Sequence, residues 1–179
     1  VPSTIIPRQH PVSLSERATE LGYSHIIVKP TIAGAARLTY QLKDEQIGAF
    51  DQDFTRFNAK EDFILQPFVS SVTSFGELSL MVMGGKCTHA VQKRVKVGDF
   101  RVQDDFGGTV HHFTLTPALI EFAEMVMELI DPTPLYGRVD ILRNDADKWM
   151  VSEVELIEPE LWLRTAPEAV EHLAMAIHH

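Results

Sequence analysis

Apolar and polar positions along this chain change period several times, and each change marks an element. Ser3–Ile6 has the pattern of a short strand. Ser13 and Glu16 stand at the spacing of a capping box, which predicts a helix running to about Leu21 and ending at Gly22. His25–Lys29 is a buried-type strand stopped by Pro30, and Arg37–Leu42 alternates like the return strand of a hairpin. Asp44–Phe57 carries helical spacing, weakened by Gly48. Asp62–Gln66 is a further strand, broken at Pro67. Ser70–Ser74 has loop composition, and beyond it Glu77–Met83 and Lys86–Val95 form a hairpin around Gly84-Gly85. Gly98–Gly108 reads as a loop. Thr116 then caps a helix with Pro117 at its first position, and Leu119, Ala123, Val126 and Met127 belong to its broad apolar face. Leu135–Arg143 and Lys148–Leu156 are strands joined by the turn formers Asn144-Asp145-Ala146-Asp147. Thr165, Pro167 and Glu168 open a last helix. The whole is mixed α and β, with a mild boundary near Pro67 and a lobe on either side.

The last hairpin carries the candidate chemistry. If Arg143 faces Lys148 across the turn, Leu142 faces Trp149 and Asp140 faces Val151. Side chains alternate with period two, so Asp140, Glu153 and Glu155 project from one face, together with Trp149 and Val151. Asp140 and Glu153 then become diagonal neighbours, roughly 7–8 Å apart at the backbone. Three carboxylates without Cys or His suit a hard cation such as Mg²⁺, which also takes phosphate oxygens as ligands. A solvated strand face bearing acids is the competing explanation.

Composition narrows the classes. The chain has 179 residues, 45% of them hydrophobic, enough for one well-buried domain or two small lobes. Its single cysteine, Cys87, excludes a disulfide framework and fits a reducing, cytoplasmic setting. No apolar run approaches a membrane span, and a net charge of −9 argues against a general nucleic-acid surface. The chain starts Val1-Pro2 without Met, the expectation for a fragment or a processed product.

Other features add to the hairpin. Lys29, at a strand end before the small-residue loop Thr31–Ala36, can set an ammonium on a phosphate; an ordinary edge lysine is the alternative. Gln66-Pro67-Phe68-Val69 is an extended segment able to offer backbone groups to a flat heterocycle, or else a plain linker. Lys93, Arg94, Lys96 and Arg101 gather positive charge in an acidic chain, with Lys93 and Arg94 on opposite strand faces. Such cations stabilise phosphate charge that shifts during phosphoryl transfer, although a solvated charge run has the same composition. Phe106-Gly107-Gly108-Thr109 has the freedom of a closing loop or of a plain turn. His111-His112 lack partners at metal-ligand spacing.

The order of these motifs resembles the ATP-grasp ligases, in the branch of glutathione synthetase and the ribosomal-protein glutamate ligase. Gln92-Lys93-Arg94 through Gly98-Asp99-Phe100-Arg101 to Gly107-Gly108 is similar to that branch's phosphate-covering segment. Gly137-Arg138-Val139-Asp140 and Glu153-Val154-Glu155 are similar to its metal-binding hairpin, and Glu153–Pro159 with Leu161 resembles the ligases that close the cycloserine ring. The resemblance implies an α+β ATP-grasp fold, with two α/β lobes of mostly antiparallel sheet gripping a nucleotide cleft. The smaller lobe would be 1–67 and the larger 68–179.

Carried residue by residue, the resemblance implies that Lys29, Gln66, Phe68, Val69 and Glu77 bind ATP, with Phe68 and Val69 acting through backbone atoms. Lys93 and Arg101 would face the phosphates and an acyl-phosphate intermediate. Asp140, Glu153 and Glu155 would hold two Mg²⁺ ions, for which Mn²⁺ could substitute. The implied activity is carboxylate–amine ligation on small molecules with release of ADP and phosphate, with no nucleic-acid or membrane partner and a homodimer permitted. A non-catalytic nucleotide-binding module and a phosphotransferase to a hydroxyl use the same constellation. Relatives place an arginine where Ser79 stands and more glycines after Lys29. They also carry a further lysine and a substrate domain upstream of Val1, so a domain cut from a longer protein is expected.

Overall fold

The computed structural model describes residues 1–10, 13–34, 36–95 and 108–178. It divides into two compact units, Val1–Val69 and Ser70–His179. Among the described residues no helix is long and apolar enough to cross a membrane.

The first unit contains β1 (Thr4–Ile6), α1 (Leu14–Glu20), β2 (His25–Pro30), β3 (Tyr40–Lys43), α2 (Glu45–Asn58) and β4 (Phe63–Pro67). Its strands form an antiparallel sheet in the order β1-β4-β2-β3. Alternation decides the buried face: Ile26 and Val28 of β2 and Phe63 and Leu65 of β4 point the same way. They meet Leu14 and Ala18 of α1 and Ile47 and Phe54 of α2 in one core. Ser13 caps α1 by accepting the Glu16 N–H. Asp51 of α2 completes that helix start by accepting the Leu14 N–H at 2.6 Å and the hydroxyls of Ser13 and Ser15. The return strand begins later than its alternation predicts. Ala36 and Leu38 take positive φ, and residues 37–39 turn before Tyr40 pairs with Val28.

In the second unit a short helix α3 (Ser71–Ser74) replaces the expected loop. There follow β5 (Glu77–Met83), β6 (Lys86–Arg94), β7 (Thr109–Phe113), α4 (Pro117–Glu128), β8 (Tyr136–Arg143), β9 (Trp149–Glu155) and α5 (Ala169–His178). The antiparallel sheet runs β7-β6-β5-β8-β9. β7 was not foreseen: its residues are largely exposed, and pairing with the edge of β6 is what makes them a strand.

Every residue of β5 is buried, because both faces of the sheet are covered. On one face Leu78, Leu80, Val139 and Ile141 pack under Leu119, Ala123 and Met127 of α4. On the other, Met81, Met83 and Val91 pack under Trp162, Ala166 and Ala169, in and just before α5. Gly76 sets the start of β5. Its φ is +98°, and a Cβ there would lie 2.2 Å from the Lys93 carbonyl oxygen. Only glycine allows this approach, which brings Glu77 into register opposite Lys93.

Candidate metal and catalytic site

The β8–β9 hairpin differs from its predicted register in two compensating ways. Asn144 closes the turn, its N–H donating to Lys148 O and its side-chain oxygen accepting the N–H groups of Ala146 and Lys148. Pairing therefore starts at Arg143 with Trp149, one residue beyond expectation, and places Ile141 opposite Val151. Continued without interruption, that register would turn Glu153 and Glu155 toward α4. A bulge at Ser152 adds one residue to β9, so Asp140 faces Glu153 directly and Arg138 faces Glu155. The acids consequently do not share their face with Trp149 and Val151. Those two pack with Phe75 and Ile141 on the α4 side.

On the opposite face, carboxylate oxygens of Asp140, Glu153 and Glu155 lie within 4.8 Å of one another. Asp140 is 1% exposed and accepts from three side chains. Its Oδ1 accepts from the Ser79 hydroxyl (2.6 Å) and Arg138 Nε (2.9 Å), its Oδ2 from Arg138 Nη2 (2.9 Å) and Lys93 Nζ (3.1 Å). Lys93 also pairs with Glu77 at 2.5 Å, and Arg138 also donates to Glu155. Ser152, the bulged residue, donates to Glu77 Oε2 at 2.9 Å and to the Asp140 carbonyl at 3.1 Å. Four acids (Glu77, Asp140, Glu153, Glu155) thus surround two bases (Lys93, Arg138), and four minus two leaves a formal charge of −2.

Electrostatics follow this imbalance. Burial pushes the Asp140 carboxyl toward neutrality, but Lys93 and Arg138 outweigh it and hold its pKa below the usual range. Burial likewise opposes the Lys93 charge, and Asp140 with Glu77 reverses that, raising its pKa. Glu155 goes the other way: burial raises its pKa, and Arg138 offsets this only in part. A net negative, all-oxygen cluster with one carboxyl already resisting ionisation is chemically suited to a hard divalent cation.

The remaining candidates fall as follows. Arg101, Lys96, Phe106 and Gly107 lie outside the described residues. Arg94 is exposed and bonds Gln92, on the face away from Lys93. Lys29 is half-buried near the end of β2. Gln66 is buried and donates to Ser3 Oγ at 2.8 Å. The Phe68 N–H is engaged by the His25 carbonyl at 2.9 Å, and its ring stacks on His25 at 4.0 Å. Val69 ends the first unit. His111 and His112 sit on β7, outside the carboxylate group.

Several participants had not been singled out. Arg138 had a readable signal, since it stands two residues from Asp140 on the same strand face. Ser79 and Ser152 had none as hydrogen-bond donors; a hydroxyl comes to serve Asp140 or Glu77 only through strand pairing. Trp162 arrives from the loop after β9, with its ring over both cations: 5.7 Å from Lys93 Nζ and 5.2 Å from Arg138 Cζ.

No protein-family profile matches the chain. Cycloserine biosynthesis protein DcsG of Streptomyces lavendulae is 34% identical over 128 residues, which are 64% of this chain and 40% of that protein. The crystal structure of D-cycloserine synthetase DcsG superposes with a TM-score of 0.80 and 26% identity, over 99% of this chain and 63% of that one. D-alanine–D-alanine ligase from Bacillus anthracis, complexed with ATP, gives 0.67 with 16% identity over 99% and 57%. The ATP-grasp ligase PsnB, complexed with minimal precursor, Mg and ADP, gives 0.65 with 12% identity over 98% and 53%. The chain thus spans less than two thirds of the length of each. It has the ATP-grasp fold and is similar in sequence and in structure to D-cycloserine synthetase.

Proposed function

We propose that this chain is the ATP-binding part of a ligase that joins a carboxylate to an amine through an acyl phosphate, releasing ADP and phosphate. The observation that carries this reading is the β5–β6–β8–β9 face, where Asp140, Glu153 and Glu155 converge beside Lys93 and Arg138. A carboxylate is a poor acyl donor, and phosphorylation makes it a good one. Phosphoryl transfer asks little covalent help of a protein and much charge placement.

Asp140, Glu153 and Glu155 would hold Mg²⁺, two ions when phosphate oxygens complete their shells. The bound metal would supply charge neutralisation on those oxygens. Lys93 and Arg138 present desolvated positive charge where transferred charge develops, and Arg101 joins them in this reading. Lys29, Gln66, Phe68 and Val69 contact the nucleotide, the last two through backbone atoms. Glu77 meets the ribose and keeps Lys93 oriented. The acyl phosphate hydrolyses in water, so the reaction needs water kept out until the amine arrives.

The test is a coupled assay for ADP with the full-length protein, Mg²⁺–ATP and panels of small carboxylates and amines. ADP release that requires both a carboxylate and an amine, with an amide and free phosphate as products, is expected. A stable phosphate ester would make the protein a phosphotransferase. Nucleotide binding without turnover on any pair would make it a binding module.

A further inference from the structure

Trp162 adopts a backbone conformation that tryptophan seldom takes. Its φ and ψ are 44° and 37°, the left-handed region, which costs a residue with a Cβ about 1–2 kcal/mol. Its neighbours hold it there. The Trp162 N–H donates to Glu160 Oε1 at 2.7 Å, and its carbonyl accepts from both the N–H and the hydroxyl of Thr165 at 2.8 Å. The side chain is 5% exposed, yet among the described residues its indole N–H has no hydrogen-bond partner. A leucine or phenylalanine could fill the space beside Met81, Met83 and Val91 without an orphaned donor. Packing alone therefore accounts poorly for this residue.

The ring lies over both Lys93 and Arg138, cations that are 5% and 6% exposed and so almost stripped of water. Indole has the strongest cation-attracting face of any side chain, and the attraction grows with desolvation. It also accepts none of the cations' N–H bonds. The same segment touches Arg138 a second time, through the Glu160 carbonyl at 3.4 Å from Nη1.

We propose that Trp162 is a positioning residue whose ring fixes the directions of Lys93 and Arg138, so that both bear on the γ-phosphoryl group of the bound nucleotide. The carboxylates below hold the two charges in place, and the aromatic face orients them without taking any N–H group that the carboxylates leave for the phosphate. This inference rests on the proposed ATP-dependent activity.

Calorimetry with Mg²⁺, comparing ADP with the non-hydrolysable triphosphate AMPPNP, tests it on full-length wild type, Trp162→Phe and Trp162→Leu. Thermal melting checks that each variant is folded. Trp162→Phe keeps an aromatic face and should retain the wild-type preference for the triphosphate to within about threefold. Trp162→Leu should lose about tenfold of that preference while its ADP affinity stays unchanged. If the leucine chain does not fold, Trp162→Met takes its place with the same expectation. Equal weakening of both nucleotides, or no difference between the leucine and phenylalanine chains, overturns the positioning role and leaves ATP binding standing. If the wild type binds neither nucleotide, the ATP reading falls and this inference falls with it.

Discussion

At the residue scale, Asp140 shows how burial and charge divide the work of one cluster. It holds Arg138 through two bonds and Lys93 through a third, at a site closed to water. Replacing it with alanine takes a carboxylate partner from each of two buried cations, so Asp140→Ala should cost about 3–5 kcal/mol in denaturant unfolding. Glu153 is only half-buried. Glu153→Gln should cost on the order of 1 kcal/mol or less, yet weaken Mn²⁺ binding about tenfold or more by paramagnetic titration. Equal stability losses in the two variants would show that the cluster is not organised around Asp140.

His89 gives a pH prediction outside the cluster. Its Nε2–H donates to the Leu161 carbonyl at 2.8 Å, and Thr88 Oγ1 lies 2.9 Å from Nδ1, an arrangement that satisfies the neutral ring. Burial lowers its pKa, opposed in part by that Leu161 bond. Below its ordinary pKa of about 6.5 the unfolded chain therefore binds the proton more readily than the folded one. The stability His89 contributes is complete above that pH and is lost as pH falls. Melting curves of wild type and His89→Gln should show wild type losing more stability between neutral and acidic pH. Parallel curves would contradict the buried neutral ring.

At the element scale, the Ser152 bulge decides which face the β9 acids occupy. Deleting Ser152 should restore unbroken pairing and leave Glu153 opposite Asp140, because Val151 and Glu153 then become neighbours that point to opposite faces. The expected result is Mn²⁺ binding retained, with loss only of the hydroxyl's bonds to Glu77 and Asp140. Ser152→Ala keeps the extra residue and removes only its bonds to Glu77 and Asp140. It should cost about 0.5–1.5 kcal/mol and retain the metal. A deletion variant that loses Mn²⁺ binding would mean that β9 does not re-pair with Glu153 opposite Asp140.

At the scale of the whole molecule, each unit has its own buried apolar cluster, and every member of the carboxylate–cation site belongs to the second. A fragment of residues 70–179 should accordingly unfold cooperatively and bind Mn²⁺ with the affinity of the longer chain. A fragment of residues 1–69 should show no such binding. Absence of a cooperative transition in the 70–179 fragment would show that the second unit needs the first to fold.

Local pattern was enough to read the elements that depend on it. The capped α4 and the β5–β6 hairpin follow from periodicity, caps and turn residues, whereas the common face of Asp140, Glu153 and Glu155 is read from a register that the structure changes twice. The ATP-grasp fold followed from the order of motifs. Tertiary structure alone decided the rest. β7 exists because β6 offers an edge, and the hairpin register depends on how Asn144 closes the turn. The pairing of Arg138 with Glu155 needs the bulge, and the Trp162 ring reaches Lys93 from nearly seventy positions along the chain. Periodicity reports which side of an element a residue faces. What it meets there is set by neighbours distant in sequence, and a single sequence carries no local signal of them.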